Sequence, residues 1–154
     1  YLYQHAASPH LAAQLEGHPL EKDVILKAWK RVTEKYPYVT MEGSGGIVCP
    51  IRHDEKAVYY LEDIISWLHL PVLVVADAGL GTINHVVLTC EYIKHRNIPI
   101  QGIILNNWKG GVMEEDNVKM IEEITGVKVI AKVQKGDEIL HCDPKVLEAC
   151  YKEV

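Results

Sequence analysis

Residues 71–85 decide the fold and read Pro-Val-Leu-Val-Val-Ala-Asp-Ala-Gly-Leu-Gly-Thr-Ile-Asn-His. The first six are continuously apolar and rich in β-branched side chains, which is typical of a strand buried on both faces of a parallel sheet. The stretch Gly79-Leu80-Gly81-Thr82 then leads into a helix predicted from about Ile83 to Arg96. This strand-loop-helix order predicts an α/β fold.

The flanking sequence continues the same alternation. Downstream of the helix we predict a strand, a helix, a strand and a terminal helix, at residues 100–105, 114–125, 127–133 and 143–152. Gly126 is the expected stop of the second helix, and Asp143 with Pro144 the expected start of the last. Upstream we predict an amphipathic helix, a short strand and a second helix, at residues 20–36, 39–42 and 60–70. The sequence therefore predicts one domain over residues 1–154, built on a mostly parallel sheet with helices on both faces.

Composition narrows the class of function. The net charge is -5, and the basic residues are scattered rather than grouped, which disfavours a nucleic-acid partner. No stretch approaches the roughly 20 apolar residues that span a bilayer, and the start does not have the pattern of a signal peptide. The four cysteines form no Cys-x-x-Cys pair and lie among apolar neighbours, as reduced thiols of a cytosolic protein do. We expect a cytoplasmic protein with no membrane partner.

Three loops follow predicted strands, where open α/β sheets bind their ligands. The glycine loop, residues 42–46, reads Glu42-Gly43-Ser44-Gly45-Gly46. Its glycines allow a close approach of backbone N–H groups, and Glu42 could hold Mg²⁺, which prefers a few carboxylate oxygens with phosphate and water. The alternative is an ordinary glycine turn that happens to have a glutamate beside it.

The second loop ends at a predicted helix start, whose free N–H groups attract anions. A substrate carboxylate or phosphate could dock there with the help of Asn84, although Asp77 is an unfavourable neighbour for an anion. The alternative has Thr82 as a simple N-cap and Asn84 facing solvent. In the third loop, Asn106 could read a nucleobase through its amide, or could simply form a turn.

Two other classes of site are disfavoured. The eight histidines show no spacing typical of zinc ligands, and a Cys142-His141 nucleophile pair has no accompanying oxyanion loop. The chain also contains no Gly-x-x-x-x-Gly-Lys-Ser/Thr phosphate-binding loop.

Taken in order, five motifs between Tyr3 and about Lys132 resemble the dethiobiotin synthetase family. They are Ser8-Pro9-His10-Leu11-Ala12-Ala13, Glu16-Gly17-His18-Pro19-Leu20, Glu42-Gly43-Ser44-Gly45-Gly46, Gly79-Leu80-Gly81-Thr82-Ile83-Asn84-His85 and Gly102-Ile103-Ile104-Leu105-Asn106. Each motif is weak alone, but their order and spacing together are specific. The resemblance implies a P-loop NTPase-like domain that is incomplete at the N-terminus of this chain.

The resemblance also implies an activity in biotin biosynthesis. The family uses ATP and Mg²⁺ to close the carbamate of 7,8-diaminononanoate and CO₂ into dethiobiotin, through a phosphorylated carbamate, and its members are usually homodimers. By resemblance, Glu42 is a Mg²⁺ ligand, and the reaction centre is lined by Gly43, Gly45 and Gly46. The implied substrate-binding residues are Ser8, Leu80, Gly81, Thr82, Ile83 and Asn84. Asn106 is expected to meet the adenine.

Two departures and two rival interpretations accompany this resemblance. The family's P-loop, its following lysine and a second magnesium carboxylate are expected in a region before Tyr1, so we expect this chain alone to be inactive. Residues 131–137 also do not contain the proline that often closes over the base. The rivals are a non-catalytic regulatory or interaction domain on the same fold, and a ParA-like partner-binding ATPase. The Asn84 loop disfavours the second rival.

Overall fold

The computed structural model describes residues 1–151, which form two compact units divided between His69 and Leu70. Each unit is described by itself. The single domain expected over residues 1–154 stays a prediction.

The first unit, residues 1–69, contains helices and one hairpin. Its elements are α1 (Pro9–Leu15), α2 (Lys22–Thr33), β1 (Pro50–His53), β2 (Val58–Tyr60) and α3 (Leu61–Leu68). The sequence predicted α2 and α3 but missed α1 and the antiparallel β1–β2 hairpin. Asp54 closes this hairpin, because its Oδ1 accepts the N–H groups of Lys56 at 2.8 Å and Ala57 at 2.9 Å. The signals were present: Pro9 after Ser8 is a helix start, and Asp54 is a turn former.

The short strand predicted at residues 39–42 is wrong. These residues carry no regular secondary structure. A strand exists only where a neighbour completes its ladder of hydrogen bonds, and no strand among residues 1–151 pairs with this segment.

The second unit, from residue 70 onward, is an α/β layer. Its elements are β3 (Val72–Asp77), α4 (Thr82–His95), β4 (Ile100–Asn106), α5 (Val112–Thr125), β5 (Val129–Lys132) and α6 (Pro144–Ala149). The strands pair in parallel in the order β3-β4-β5, which confirms the predicted α/β class. The end of the terminal helix predicted at residue 152 lies outside the described residues, but Asp143 caps α6 as predicted by accepting from Lys145 N at 2.9 Å.

The core of this unit lies between the sheet and its crossover helices. Ile103 and Leu105 share one face of β4, and both are fully buried, as is Ile121 of α5. Helices α4 and α5 contact one another, so both cover this one face, as successive right-handed crossovers require. On the opposite face Val75 is 64% exposed, and helices on both faces stay a prediction.

Helix boundaries follow the glycines. Gly81 at φ 87° precedes α4, and Gly126 at φ 69° ends α5 as predicted, both in the left-handed region that glycine adopts without strain. The longest helices, α4 and α5, have 14 residues each, and none in residues 1–151 is long and apolar enough to cross a bilayer.

Candidate functional site

The β3–α4 loop presents the start of a helix to solvent. The helix begins at Thr82, and Gly81 is its N-cap, so the alternative with Thr82 as the N-cap is wrong. Thr82 is 3% exposed, and its Oγ1 has no hydrogen-bond partner in the described chain. Leu80 and Asn84 both point outward, Leu80 with 92% exposure.

The first backbone amides of α4 are free to bind a ligand. Within residues 1–151, the N–H groups of Ile83 and Asn84 donate to no protein acceptor, whereas that of His85 donates to Gly81 O at 3.2 Å. Free amides at a helix start carry partial positive charge and favour an anion. This geometry can therefore hold a carboxylate or a phosphate.

Asp77, at the start of this loop, accepts hydrogen bonds at both carboxylate oxygens. Its Oδ1 accepts from Gly79 N at 2.8 Å, and its Oδ2 accepts from Asn107 Nδ2 at 2.7 Å. The bond from Asn107, then that from Gly79, and the positive charge of Lys109 hold the pKa of Asp77 below its ordinary value. Asp77 is therefore a charged carboxylate whose two oxygens are both engaged. No local sequence pattern predicts the hydrogen bond between Asp77 and Asn107, which are 30 residues apart.

Asn106 lies beside this loop. It is the last residue of β4, pairs in register with Asp77, and is exposed. Its carbonyl oxygen accepts the N–H of Ala78 at 2.8 Å. The structure therefore brings Asn106 next to the β3–α4 loop, as the parallel strand order requires.

The β4–α5 loop, residues 107–111, is bound by a buried glutamate of α5. Glu114 is 3% exposed, and its Oε2 accepts from Gly111 N at 2.9 Å and Lys109 N at 3.2 Å. The spacing of Glu114 three residues after a helix N-cap is a signal that sequence analysis overlooked. Trp108 is also buried, and the Lys132 ammonium lies 4.2 Å from its ring centroid.

The glycine loop and Ser8 belong to the first unit. Glu42, Gly43, Gly45 and Gly46 are exposed, and Gly45 has φ 89°, a conformation that side chains rarely adopt. A Cβ on Gly43 would lie 2.7 Å from Leu61 Cδ2, whereas one on Gly46 would meet nothing within 4 Å. Ser8 precedes α1 and is exposed, with no side-chain bond to that helix.

The carboxylate of Glu42 could supply one of the ligands of a magnesium site. Glu42 offers exposed carboxylate oxygens, and Mg²⁺ is usually held by one or two carboxylates together with phosphate and water. No group of three His, Cys, Asp or Glu residues within the described chain is placed to hold a metal. Glu42 would therefore act with ligands from a nucleotide and solvent rather than in a protein cage.

All four cysteines are free thiols, as predicted. Burial raises the pKa of Cys90, and also the pKa values of Cys49 and Cys150. Reactive thiols need the opposite shift, so these three side chains are suited to packing.

Comparison with known proteins identifies the family. A family model described as an AAA domain matches residues 1–140. An ATP-dependent dethiobiotin synthetase of Brachyspira hyodysenteriae is 50% identical over 153 residues, which cover 99% of this chain and 68% of the relative. A synthetase of the same name from Clostridium novyi is 47% identical over 136 residues, covering 88% of this chain and 57% of the relative.

A further relative of that name, from Clostridium kluyveri, is 45% identical over 134 residues, covering 87% of this chain and 56% of the relative. The chain thus spans between 56% and 68% of the length of these relatives. This level of identity agrees with the α/β layer and its parallel sheet, and with the helix start beside Asn106 that can bind an anion. The chain belongs to the ATP-dependent dethiobiotin synthetase family.

Proposed function

We propose that the protein containing this chain is a Mg-ATP-dependent dethiobiotin synthetase of biotin biosynthesis. In this reaction one amine of 7,8-diaminononanoate forms a carbamate with CO₂, and a carbamate oxygen attacks the γ-phosphorus of ATP while ADP leaves. The second amine then attacks the carbamate carbon, phosphate leaves, and a cyclic urea results. The observation that carries the proposal is the free helix start of α4 beside Asn106, in a chain with 50% identity to a named synthetase.

The β3–α4 loop is proposed to bind the substrate carboxylate. The free amides of Ile83 and Asn84 would donate to its oxygens, and the buried hydroxyl of Thr82 and the exposed side chain of Asn84 supply further donors. Leu80 and Gly81 shape the loop around it. Ser8, in the first unit, is proposed by family resemblance as a substrate-binding residue.

Asn106 is proposed to read the adenine of ATP. Its side-chain amide offers both a donor and an acceptor, which matches the edge of a purine. Its backbone position is fixed by the bond from Ala78 N, so the amide is presented from a rigid strand end rather than from a mobile loop.

The glycine loop is proposed to lie at the reaction centre. Gly43, Gly45 and Gly46 would leave room for the phosphoryl group and its acceptor, and Glu42 would hold Mg²⁺. Such an ion, when bound, neutralises the charge that develops on the transferred phosphoryl oxygens. Most of the catalysis in phosphoryl transfer comes from positioning and electrostatic stabilisation of this kind.

We also propose a homodimer in the cytoplasm. Large apolar side chains are exposed on and near α4, with Leu80 92%, Leu88 62% and Ile124 51% exposed. Apolar surface of this kind is typical of a protein contact. A mass equal to one subunit in analytical ultracentrifugation would contradict the dimer.

The test is phosphate release from MgATP by the full-length protein, with and without 7,8-diaminononanoate and bicarbonate. We expect release that depends on the diamine, with dethiobiotin as the product detected by mass spectrometry. If ATP is untouched, or is hydrolysed regardless of the diamine, the synthetase proposal fails and the regulatory-domain interpretation replaces it.

A further inference from the structure

We propose that Asp77, Asn107 and Asn117 are positioning residues that hold the β3–α4 loop in the one conformation that binds the substrate carboxylate. The loop contains two glycines, Gly79 and Gly81, and glycine loops are conformationally permissive unless other groups restrain them. These side chains provide two restraints, one through Asp77 together with Asn107 and one through Asn117. The inference rests on the proposed function of that loop.

The first restraint joins the ends of two strands. Asn107 Nδ2 donates to Asp77 Oδ2 at 2.7 Å, while Asp77 Oδ1 accepts from Gly79 N at 2.8 Å. Asn107 adopts φ 57°, a conformation that asparagine tolerates better than most residues, and it directly follows Asn106. The same carboxylate therefore fixes the first turn of the β3–α4 loop and ties it to the β4–α5 loop.

The second restraint comes from a buried amide on α5. Asn117 is 7% exposed, and its Nδ2 donates to Ala78 O at 3.1 Å and to Gly79 O at 3.4 Å. A buried carbonyl left without a donor is costly, so this bond strongly favours the observed path of the chain. Asn117 thus holds the loop's carbonyls inward while the amides of Ile83 and Asn84 stay free.

None of these three side chains is among the proposed substrate contacts. Asp77 carries a negative charge, which opposes a direct contact with an anionic ligand. Its role, and that of its two partners, is to set the orientation of the helix start. Loss of a restraint should therefore weaken substrate binding more than it slows the chemical step.

The test uses the full-length protein and a reciprocal exchange. In Asn107→Asp two carboxylates face each other, and we expect the KM for 7,8-diaminononanoate to rise about threefold to tenfold, with kcat nearly unchanged. In the double variant Asp77→Asn/Asn107→Asp the donor and acceptor are exchanged, so KM should return to within about twofold of the unaltered protein. If Asn107→Asp does not fold, Asp77→Ala takes its place in the test. This variant removes the acceptor and leaves Asn107, the residue with a left-handed φ, unaltered.

A readout without turnover separates this inference from the proposed function. Hydrogen exchange of the Gly79 and Thr82 amides, which donate to Asp77 Oδ1 and Gly79 O, should accelerate in Asn107→Asp and recover in the double variant. If the exchange rates change in this way while neither the unaltered protein nor the variants convert the diamine, the restraint stands and the proposed function fails. If the unaltered protein converts the diamine but Asn107→Asp changes neither exchange nor KM, the positioning role is overturned. A fall in kcat without a rise in KM, not restored in the double variant, would also overturn the positioning role.

Discussion

At the scale of single residues, two glycines of the glycine loop, Gly45 and Gly46, differ in their backbone conformation and in the space around them. Gly45 has φ 89°, so its conformation excludes ordinary side chains regardless of space. Gly46 has no such backbone requirement and is surrounded by open space, with nothing within 4 Å of an added Cβ. The backbone conformation therefore accounts for glycine at position 45, whereas no contact in the described chain requires glycine at position 46.

These two positions give a matched pair of variants. Gly45→Ala should lower the free energy of unfolding by about 1 kcal/mol, because alanine is strained at a left-handed φ. Gly46→Ala should leave the unfolding free energy unchanged but reduce diamine-dependent phosphate release, since its methyl group would occupy space proposed for the phosphoryl group. Urea unfolding and phosphate release on both proteins check this. Full activity in Gly46→Ala would show that Gly46 does not line the reaction centre.

At the scale of elements, α5 supports both loops of the second unit. Glu114 at its start binds the N–H groups of Lys109 and Gly111, and Asn117 one turn later binds the carbonyls of Ala78 and Gly79. Ile121, a further turn along, is fully buried. Residues three or four apart lie on one side of a helix, so a single face of α5 joins the core to the loops that carry the site.

Asn117→Asp tests this role with little change of shape. A carboxylate facing two carbonyl oxygens loses the donor and adds repulsion, so we expect the unfolding free energy to fall by roughly 1–3 kcal/mol. The KM for the diamine should rise as well, because the loop loses its restraint. Asp116→Asn, on the exposed side of the same helix, is the control and should change neither quantity. The two variants change the charge of α5 in opposite directions. An increase in unfolding free energy in Asp116→Asn that matches the decrease in Asn117→Asp would mean that α5 is sensitive to charge rather than to the buried hydrogen bond.

At the scale of the whole molecule, paired carboxylates set the response to acid. The pKa of Asp54 is lowered chiefly by its hydrogen bond from Arg52, and the pKa of Glu122 chiefly by that from Lys128. Backbone N–H groups, together with the His5 ring, lower the pKa of Glu16, and the bond from Asn107 lowers that of Asp77. Both units therefore contain groups that bind protons more tightly when unfolded.

The sign of the pH dependence follows. A depressed folded pKa stabilises the protein above the unfolded pKa, which is 3.8 for aspartate and 4.5 for glutamate, and the stabilisation is lost as pH falls. The urea midpoint of the full-length protein should be nearly constant well above these values and should decline below them. Asp54→Asn should show a smaller decline. A midpoint that rises on acidification would refute this assignment of the carboxylates.

The sequence by itself determined the α/β layer of the second unit. Unbroken β-branched runs, helical periodicity and stop signals such as Gly126 are local, so each element between residues 71 and 133 was predicted within two residues of its observed ends. The sequence also predicted which residues lie in the loops, including Asn106 at a strand end and the glycines before α4. What failed was the strand at residues 39–42, because strand formation depends on a partner and not on composition alone.

Only the tertiary structure decided how the loops are held. Asp77 and Asn107 are 30 residues apart, and Asn117 lies 39 residues from Ala78, so no local pattern links them. Their contacts exist because parallel strands bring their carboxyl ends to one edge and α5 packs back against the sheet. The tertiary structure likewise made Thr82 the first residue of α4 rather than its cap, with a buried hydroxyl and free amides beyond it. The sequence predicts which hydrogen-bond donors lie near such a site, but packing decides which of them remain free for a ligand.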